Sequence, residues 1–94
     1  MQDTAFSNWL EQIDGRPLPQ LRDNIARVRR VEKGMSVNID SEYLNNRCES
    51  ILEFLDIGNP ALYSNPDLPK DKAGLSSLKT AIRKYVSFKD WKMK

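Results

Sequence analysis

Residues 18–31, LPQLRDNIARVRRV, decide the fold because they nearly recur 57 residues later as residues 75–88, LSSLKTAIRKYVSF. In both stretches apolar side chains fall three and four residues apart, which is the spacing of one face of an α-helix. Arg and Lys occupy many of the positions between them. The repeat therefore predicts two basic amphipathic helices that pack on one core and turn their cations outward.

Two further helices are predicted outside the repeat. Apolar residues recur at helical spacing from Phe6 to Ile13, with Asp3 or Thr4 as N-cap and Gly15 as the stop. Residues 43–57 carry an unusually wide apolar arc that includes Leu44, Cys48 and Leu52, which is typical of a buried helix. The predicted helices span residues 4–14, 19–33, 41–57 and 72–91.

Three signals set the ends of these helices. Gly34 is predicted to end the second helix in the left-handed conformation, and Asp40 is predicted to cap the third. Residues 58–70 contain three Pro and two Asn, which predicts the longest loop, with one helical turn near residues 61–63. Apolar residues alternate over residues 35–39 as in a strand, but no second strand is predicted nearby to pair with them. We therefore interpret this segment as a linker. The fold class is therefore all-α, a compact four-helix bundle.

The totals describe one domain, residues 1–94. The composition, 39% apolar and 30% charged, is typical of a globular chain. A single Cys excludes an internal disulfide, and a reducing cytoplasm is the expected location. The start of the chain does not resemble a signal peptide, and no segment approaches the ~20 apolar residues that cross a bilayer. We therefore expect no membrane partner.

The net charge of +2 hides a segregation along the chain. Residues 16–33 carry six basic against two acidic residues, and residues 70–94 carry eight against two. Residues 1–15 and 34–69 are acidic. If the basic helices lie side by side, the protein has one cationic face, which favours an anionic partner. The alternative is that both are ordinary solvated faces, neutralised by their acidic neighbours.

Short motifs at residues 6–10 (FSNWL), 29–32 (RRVE) and 78–85 (LKTAIRKY) occur in an order that resembles a known family. The family is the N-terminal core-binding domain of tyrosine recombinases and phage integrases, which has a SAM-like four-helix fold. The resemblance implies that the second and fourth helices lie against DNA. The chain is also similar to helical modules at the N-termini of bacterial restriction and defence proteins. Recombinases of this kind carry their catalytic Arg, Lys, His and Tyr in another domain, and this chain has no His. The resemblance therefore implies a binding part without a cutting part.

The residues themselves point to no reaction. Zero His and one Cys leave no credible metal site, and the Gly residues form no phosphate-binding motif. Cys48 lies on an apolar arc, which indicates a buried structural thiol rather than a nucleophile. We expect no enzymatic activity and no cofactor.

Double-stranded DNA is the predicted partner, because several cations on one face are what phosphate neutralisation requires. The basic flanks of the second and fourth helices supply the cations, and short polar residues near the helix starts add contacts to phosphates or base edges. The candidate DNA-binding residues are Gln20, Arg22, Arg29, Arg30, Lys33, Ser76, Lys79, Thr80, Arg83 and Lys84.

The alternative is a small protein-interaction domain, an adaptor or recruiting module, with a protein partner or with a second copy of itself. The acidic half of the chain and a pI near 8.8 favour this alternative. Trp91 bears on it, because it falls off the apolar stripe of the last helix. It either caps the core from the chain end, which the spacing favours, or stands exposed as an anchor for a partner.

Overall fold

The protein is all-α in the computed structural model, which describes residues 1–15 and 17–93. The described residues form α1 (Asp3–Gln12), α2 (Leu18–Met35), α3 (Ile39–Asn46), α4 (Glu49–Phe54), a 3-10 helix (Pro60–Ser64) and α5 (Lys72–Lys92), and they contain no strand. Arg16 and Lys94, two cations of the predicted basic segments, lie outside the described residues, as does the side chain of Leu18. The predicted all-α class is confirmed.

The core lies between α1, α2 and α5, and α2 packs most extensively against α5. The described apolar side chains of the repeat lie in this core as predicted, although Ile25 is only half-buried, and residues from α1 and from α3 onward complete it. The fully buried large side chains include Phe6, Leu10, Val28, Val31, Ile51, Leu75, Ile82, Tyr85 and Phe88. Four of the aromatic rings, those of Phe6, Trp9, Tyr85 and Phe88, contact one another at centroid distances of 4.9–6.4 Å.

The segment predicted as one helix over residues 41–57 is two helices, so that prediction is wrong. The chain turns at Arg47 and Cys48, which both adopt left-handed backbone conformations, with φ of 54° and 64°. The turn buries the Cys48 side chain near the carbonyl of Ile39, with Sγ 3.8 Å from the oxygen. It also leaves Leu44, which was expected on the buried arc, 73% exposed.

The end of α2 and the start of α3 differ from the predictions. α2 runs through Gly34, and Ser36 takes the left-handed conformation instead, with φ 54°. Gly34 packs closely on the loop before α5, because a Cβ there would lie 2.9 Å from Cδ2 of Leu68 and that side chain would have to shift. Asp40 lies inside α3, whose N-cap is Asn38; the Asn38 side-chain oxygen accepts two backbone N–H bonds of the first turn.

The predictions at Gly15 and near residues 61–63 are confirmed, and α5 begins at Lys72 as predicted. Gly15 has φ 68° just beyond α1, and the 3-10 helix coincides with the predicted turn near residues 61–63. The side chain of Asp71 caps α5 by accepting the N–H of Gly74 at 2.9 Å. At α1, however, the N-cap is Gln2 and not Asp3 or Thr4.

Candidate interaction surfaces

The cations of α2 lie on both sides of its buried face. Arg29 forms an ion pair with Asp3 of α1, so its flank of the helix faces α1. Arg22 and Lys33, seven and four residues away, share that flank by helical periodicity, and both are exposed. Arg27 lies on the opposite flank, beside α5.

The polar residues of α5 divide in the same way. Ser76 and Lys79 line a groove of 240 Å³ beside Asp56, which follows α4. Arg83 lines a separate groove of 270 Å³ with Arg47 of the α3–α4 turn. This flank of α5 therefore faces α4, away from the cations that α2 directs toward α1.

A polar groove of 270 Å³ lies between α2 and α5. The residues that line it, which we call the α2–α5 groove, are Gln20, Asp23, Asn24, Arg27, Thr80 and Lys84. It brings together three of the predicted DNA-binding residues, one from α2 and two from α5. The Lys84 ammonium is 2.9 and 3.0 Å from the two carboxylate oxygens of Asp14. With Asp23 beside Arg27, the carboxylates here offset the cations.

Arg30 is occupied elsewhere. Its Nε donates a hydrogen bond of 2.8 Å to the backbone carbonyl of Asp67, in the loop that precedes α5. The structure thus groups Gln20, Thr80 and Lys84 in one place and Ser76 and Lys79 in another. The cationic flank of α2 lies on a different side from that of α5. DNA contact by these residues stays a prediction.

An apolar cleft of 280 Å³ opens between α1 and the C-terminal end of α5. The residues that line this α1–α5 cleft are Ala5, Asn8, Trp9, Gln12, Ile13, Phe88, Trp91 and Lys92. Trp9 and Phe88 are buried and form its floor, whereas Ile13 and Trp91 are 56% and 49% exposed and form its rim. Ile13 continues the apolar stripe of α1 but is exposed, and the favoured core position of Trp91 is wrong.

The sequence contains one indication of this cleft, which is that Trp91 lies off the apolar stripe of the last helix. Ile13 gave none, because it continues the stripe of α1 at helical spacing. α1 ends at Gln12 and the chain then turns, so Ile13 lies past the last helical turn that the core covers. Asn8 and Gln12 carry no motif and were not among the candidates.

A partly buried polar cluster joins the chain start to α2, α3 and α5. Asp40 Oδ2 is 3.1 Å from the Met1 α-amino nitrogen, and Asp40 Oδ1 is 3.2 Å from Lys89 Nζ. The hydroxyl of Tyr85 donates to Asp40 at 2.5 Å, and Glu32 lies 3.6 Å from the Met1 amine. We call these five residues the Asp40 cluster. It links the chain start, α2, α3 and α5, and none of its residues lines the cleft or the groove.

The cluster shifts two pKa values. Burial raises the pKa of Asp40, but the hydrogen bond from Tyr85 and the two neighbouring cations outweigh it, so the pKa is below its ordinary value. Burial, with the hydrogen bond to Asp40, raises the pKa of Tyr85 well above its ordinary value. The carboxylate and the neutral phenol are therefore the stable forms at neutral pH.

A second polar contact fixes the α3–α4 turn on α5. Asp90 accepts a hydrogen bond of 2.5 Å from the hydroxyl of Tyr43 and forms an ion pair with Arg47. The hydrogen bond to Asp90 raises the pKa of Tyr43. Lys89 Nζ also lies 5.8 Å from the centroid of the Tyr43 ring, which places a cation over the aromatic face.

Cys48 is buried, as predicted for a structural thiol, and burial raises its pKa to about 12. A thiol with this pKa is protonated at neutral pH and is a poor nucleophile. Among the described residues, no group of three or more Cys, Asp or Glu side chains is placed to hold a metal ion. Nor does any helix of the described ranges combine the length and apolar character that crossing a bilayer requires.

Comparison with models of protein families, with curated proteins and with solved structures found no match to this chain.

Proposed function

We propose that this domain is a protein-interaction module that docks a partner through the α1–α5 cleft. The support comes from two large apolar side chains, Ile13 and Trp91, which stand half-exposed on either side of the buried rings of Trp9 and Phe88. Trp is the residue type most enriched at binding hot spots, and a concave apolar floor is the usual place for an anchor residue of a partner. Exposed apolar side chains grouped in one place are typical of interaction sites, whereas scattered ones are not.

A peptide selection tests this proposal. A phage-displayed library of random peptides is panned on the protein, and enriched peptides are synthesised and measured by isothermal titration calorimetry. The comparison is with a variant in which Ile13→Ser and Trp91→Ser remove the rim. Because both side chains are exposed, we expect the variant to fold normally. We expect it to bind the peptides at least about tenfold more weakly, the usual size of a hot-spot loss.

The matched control is Leu44→Ser, which removes an exposed apolar side chain outside the cleft. It should bind the peptides like the original protein. No enrichment, or peptides that bind the double variant equally well, would refute the proposal. Sedimentation velocity distinguishes a second copy as the occupant, because a dimer that the rim variant dissociates would show self-association instead of a separate partner.

DNA binding is the second candidate function, and the α2–α5 groove favours it. Gln20, Arg27, Thr80 and Lys84 reach the groove from both basic helices, and Gln, Arg, Thr and Lys are side chains that contact phosphates and bases. The carboxylates of Asp14 and Asp23 weigh against it, because a phosphate must compete with them. The flank of α2 that holds Arg29 faces α1 and the flank of α5 that holds Arg83 faces α4, so these two sets of cations have different neighbours.

A salt titration with duplex DNA tests this candidate. Phosphate docking predicts a log–log slope of roughly −0.9 per neutralised phosphate. The pair Arg27→Ala and Lys84→Ala should reduce both the slope and the affinity, whereas Lys79→Ala and Arg83→Ala, on the other flank of α5, should not. Equal losses in the two pairs would indicate diffuse attraction, and no binding at low salt would end the DNA hypothesis.

A further inference from the structure

The α1–α5 cleft has a charge character of its own. Lys92 is the charged residue that lines it, and the other polar lining groups are the amides of Asn8 and Gln12. No carboxylate lines the cleft. The ammonium of Lys92 donates one hydrogen bond, of 2.6 Å, to the Gln2 side-chain oxygen, and an ammonium has three donors. The cleft therefore complements an anion and not a cation.

Trp9, which lines the cleft, carries a buried indole N–H without an acceptor. Trp9 is 93% buried, and its Nε1 has no hydrogen-bond partner among the described residues. A buried N–H without an acceptor is unfavourable, and its rarity in folded proteins makes each instance informative. This nitrogen is not exposed to solvent, so an occupant of the cleft would reach it only if the indole shifted.

We propose that the occupant of the α1–α5 cleft is an acidic segment of a partner protein, in which an apolar side chain stands next to a carboxylate. This inference rests on the proposed function. The apolar side chain packs on Trp9 and Phe88 between Ile13 and Trp91, and the carboxylate lies toward Lys92. A volume of 280 Å³ is at the lower limit of small-molecule pockets, which suits one or two side chains of a peptide.

Two small probes that differ only in charge test the inference. They are 3-phenylpropionate and its neutral amide, 3-phenylpropanamide, each titrated into the ¹⁵N-labelled protein at low salt. The readout is the indole N–H resonance of Trp9, which is assigned by comparison with Trp91→Phe. We expect the carboxylate to bind about threefold more tightly than the amide, the size that an exposed ion pair provides.

Lys92→Gln should make the two probes equal without weakening the amide, and the matched control Lys33→Gln, on α2, should leave the preference unchanged. Equal affinities in the original protein would overturn the acidic partner. So would the absence of any shift of the Trp9 resonance with either probe. Neither result touches the peptide selection, so an interaction module with a partner of different chemistry would be recognised as such.

Discussion

Removal of the charge of Asp40 should destabilise the fold, because this carboxylate joins the chain start to α5. Asp40→Asn keeps the shape and an acceptor for Tyr85, but it leaves the Met1 amine and the Lys89 ammonium without their shared counter-charge. Breaking a fully buried pair costs about 3–5 kcal/mol, and an exposed pair contributes about 0.2–1 kcal/mol. The Met1 and Lys89 side chains are only 2% and 10% exposed, but that of Asp40 is 26% exposed. We therefore expect a loss of about 2–3 kcal/mol in the free energy of unfolding.

The assay is urea denaturation followed by circular dichroism at several pH values. The pKa of Asp40 is lower in the folded protein than in the unfolded chain. Its contribution to stability is therefore fully present above about pH 4, and it disappears as the pH falls through the folded pKa. The gap between the two proteins should be widest at neutral pH and should narrow in acid. Glu53→Gln, at an exposed carboxylate, is the control and should change stability by less than ~0.5 kcal/mol. A gap below ~1 kcal/mol at pH 7, or one that does not change with pH, would refute the reasoning.

Three further predictions concern single positions. Cys48, whose pKa is raised to about 12, should react with a thiol reagent at pH 8 only in denaturant; rapid reaction of the native protein would contradict its burial. Gly74→Ala should lower stability by about 1–3 kcal/mol although Ala favours helices, because its Cβ would lie 2.7 Å from Pro69 Cβ; a more stable variant would show that the loop yields. Asn38→Ala should cost about 1 kcal/mol through the lost cap of α3, measured by thermal melting, and an unchanged melting temperature would show that the cap is dispensable.

Helical periodicity predicted the all-α class and the core because the apolar residues of α1, α2 and α5 are spaced by the helices they form. The α3–α4 turn escaped it for a physical reason. The turn contains neither Gly nor Pro as a sequence signal. It is formed by Arg47 and Cys48, and Arg and Cys seldom adopt a positive φ. What stabilises the turn is distant in sequence, since Arg47 pairs with Asp90 of α5.

The same limit applies to the candidate surfaces. The sequence placed the cations between the apolar positions of their helices, but it could not show which carboxylates meet them. Asp3 and Asp14 belong to an acidic segment that seemed separate, yet they pair with Arg29 and Lys84. Asp is a residue type typical of N-caps, but the fold brings the α-amino group of Met1 and the ammonium of Lys89 to the carboxylate of Asp40. Pairings across the fold are set by packing, and no local pattern encodes them.

The rim and the floor of the α1–α5 cleft each hold one tryptophan, Trp91 and Trp9, and the chain has two in all. When the indole rings are excited selectively, all of the tryptophan fluorescence of the protein therefore comes from the α1–α5 cleft. A molecule that binds in the cleft displaces water from the Trp91 indole and changes the surroundings of the Trp9 indole. Binding should therefore change the intensity or the emission maximum of the tryptophan fluorescence. Unlabelled protein can thus serve as an optical sensor in a search for its own natural ligand.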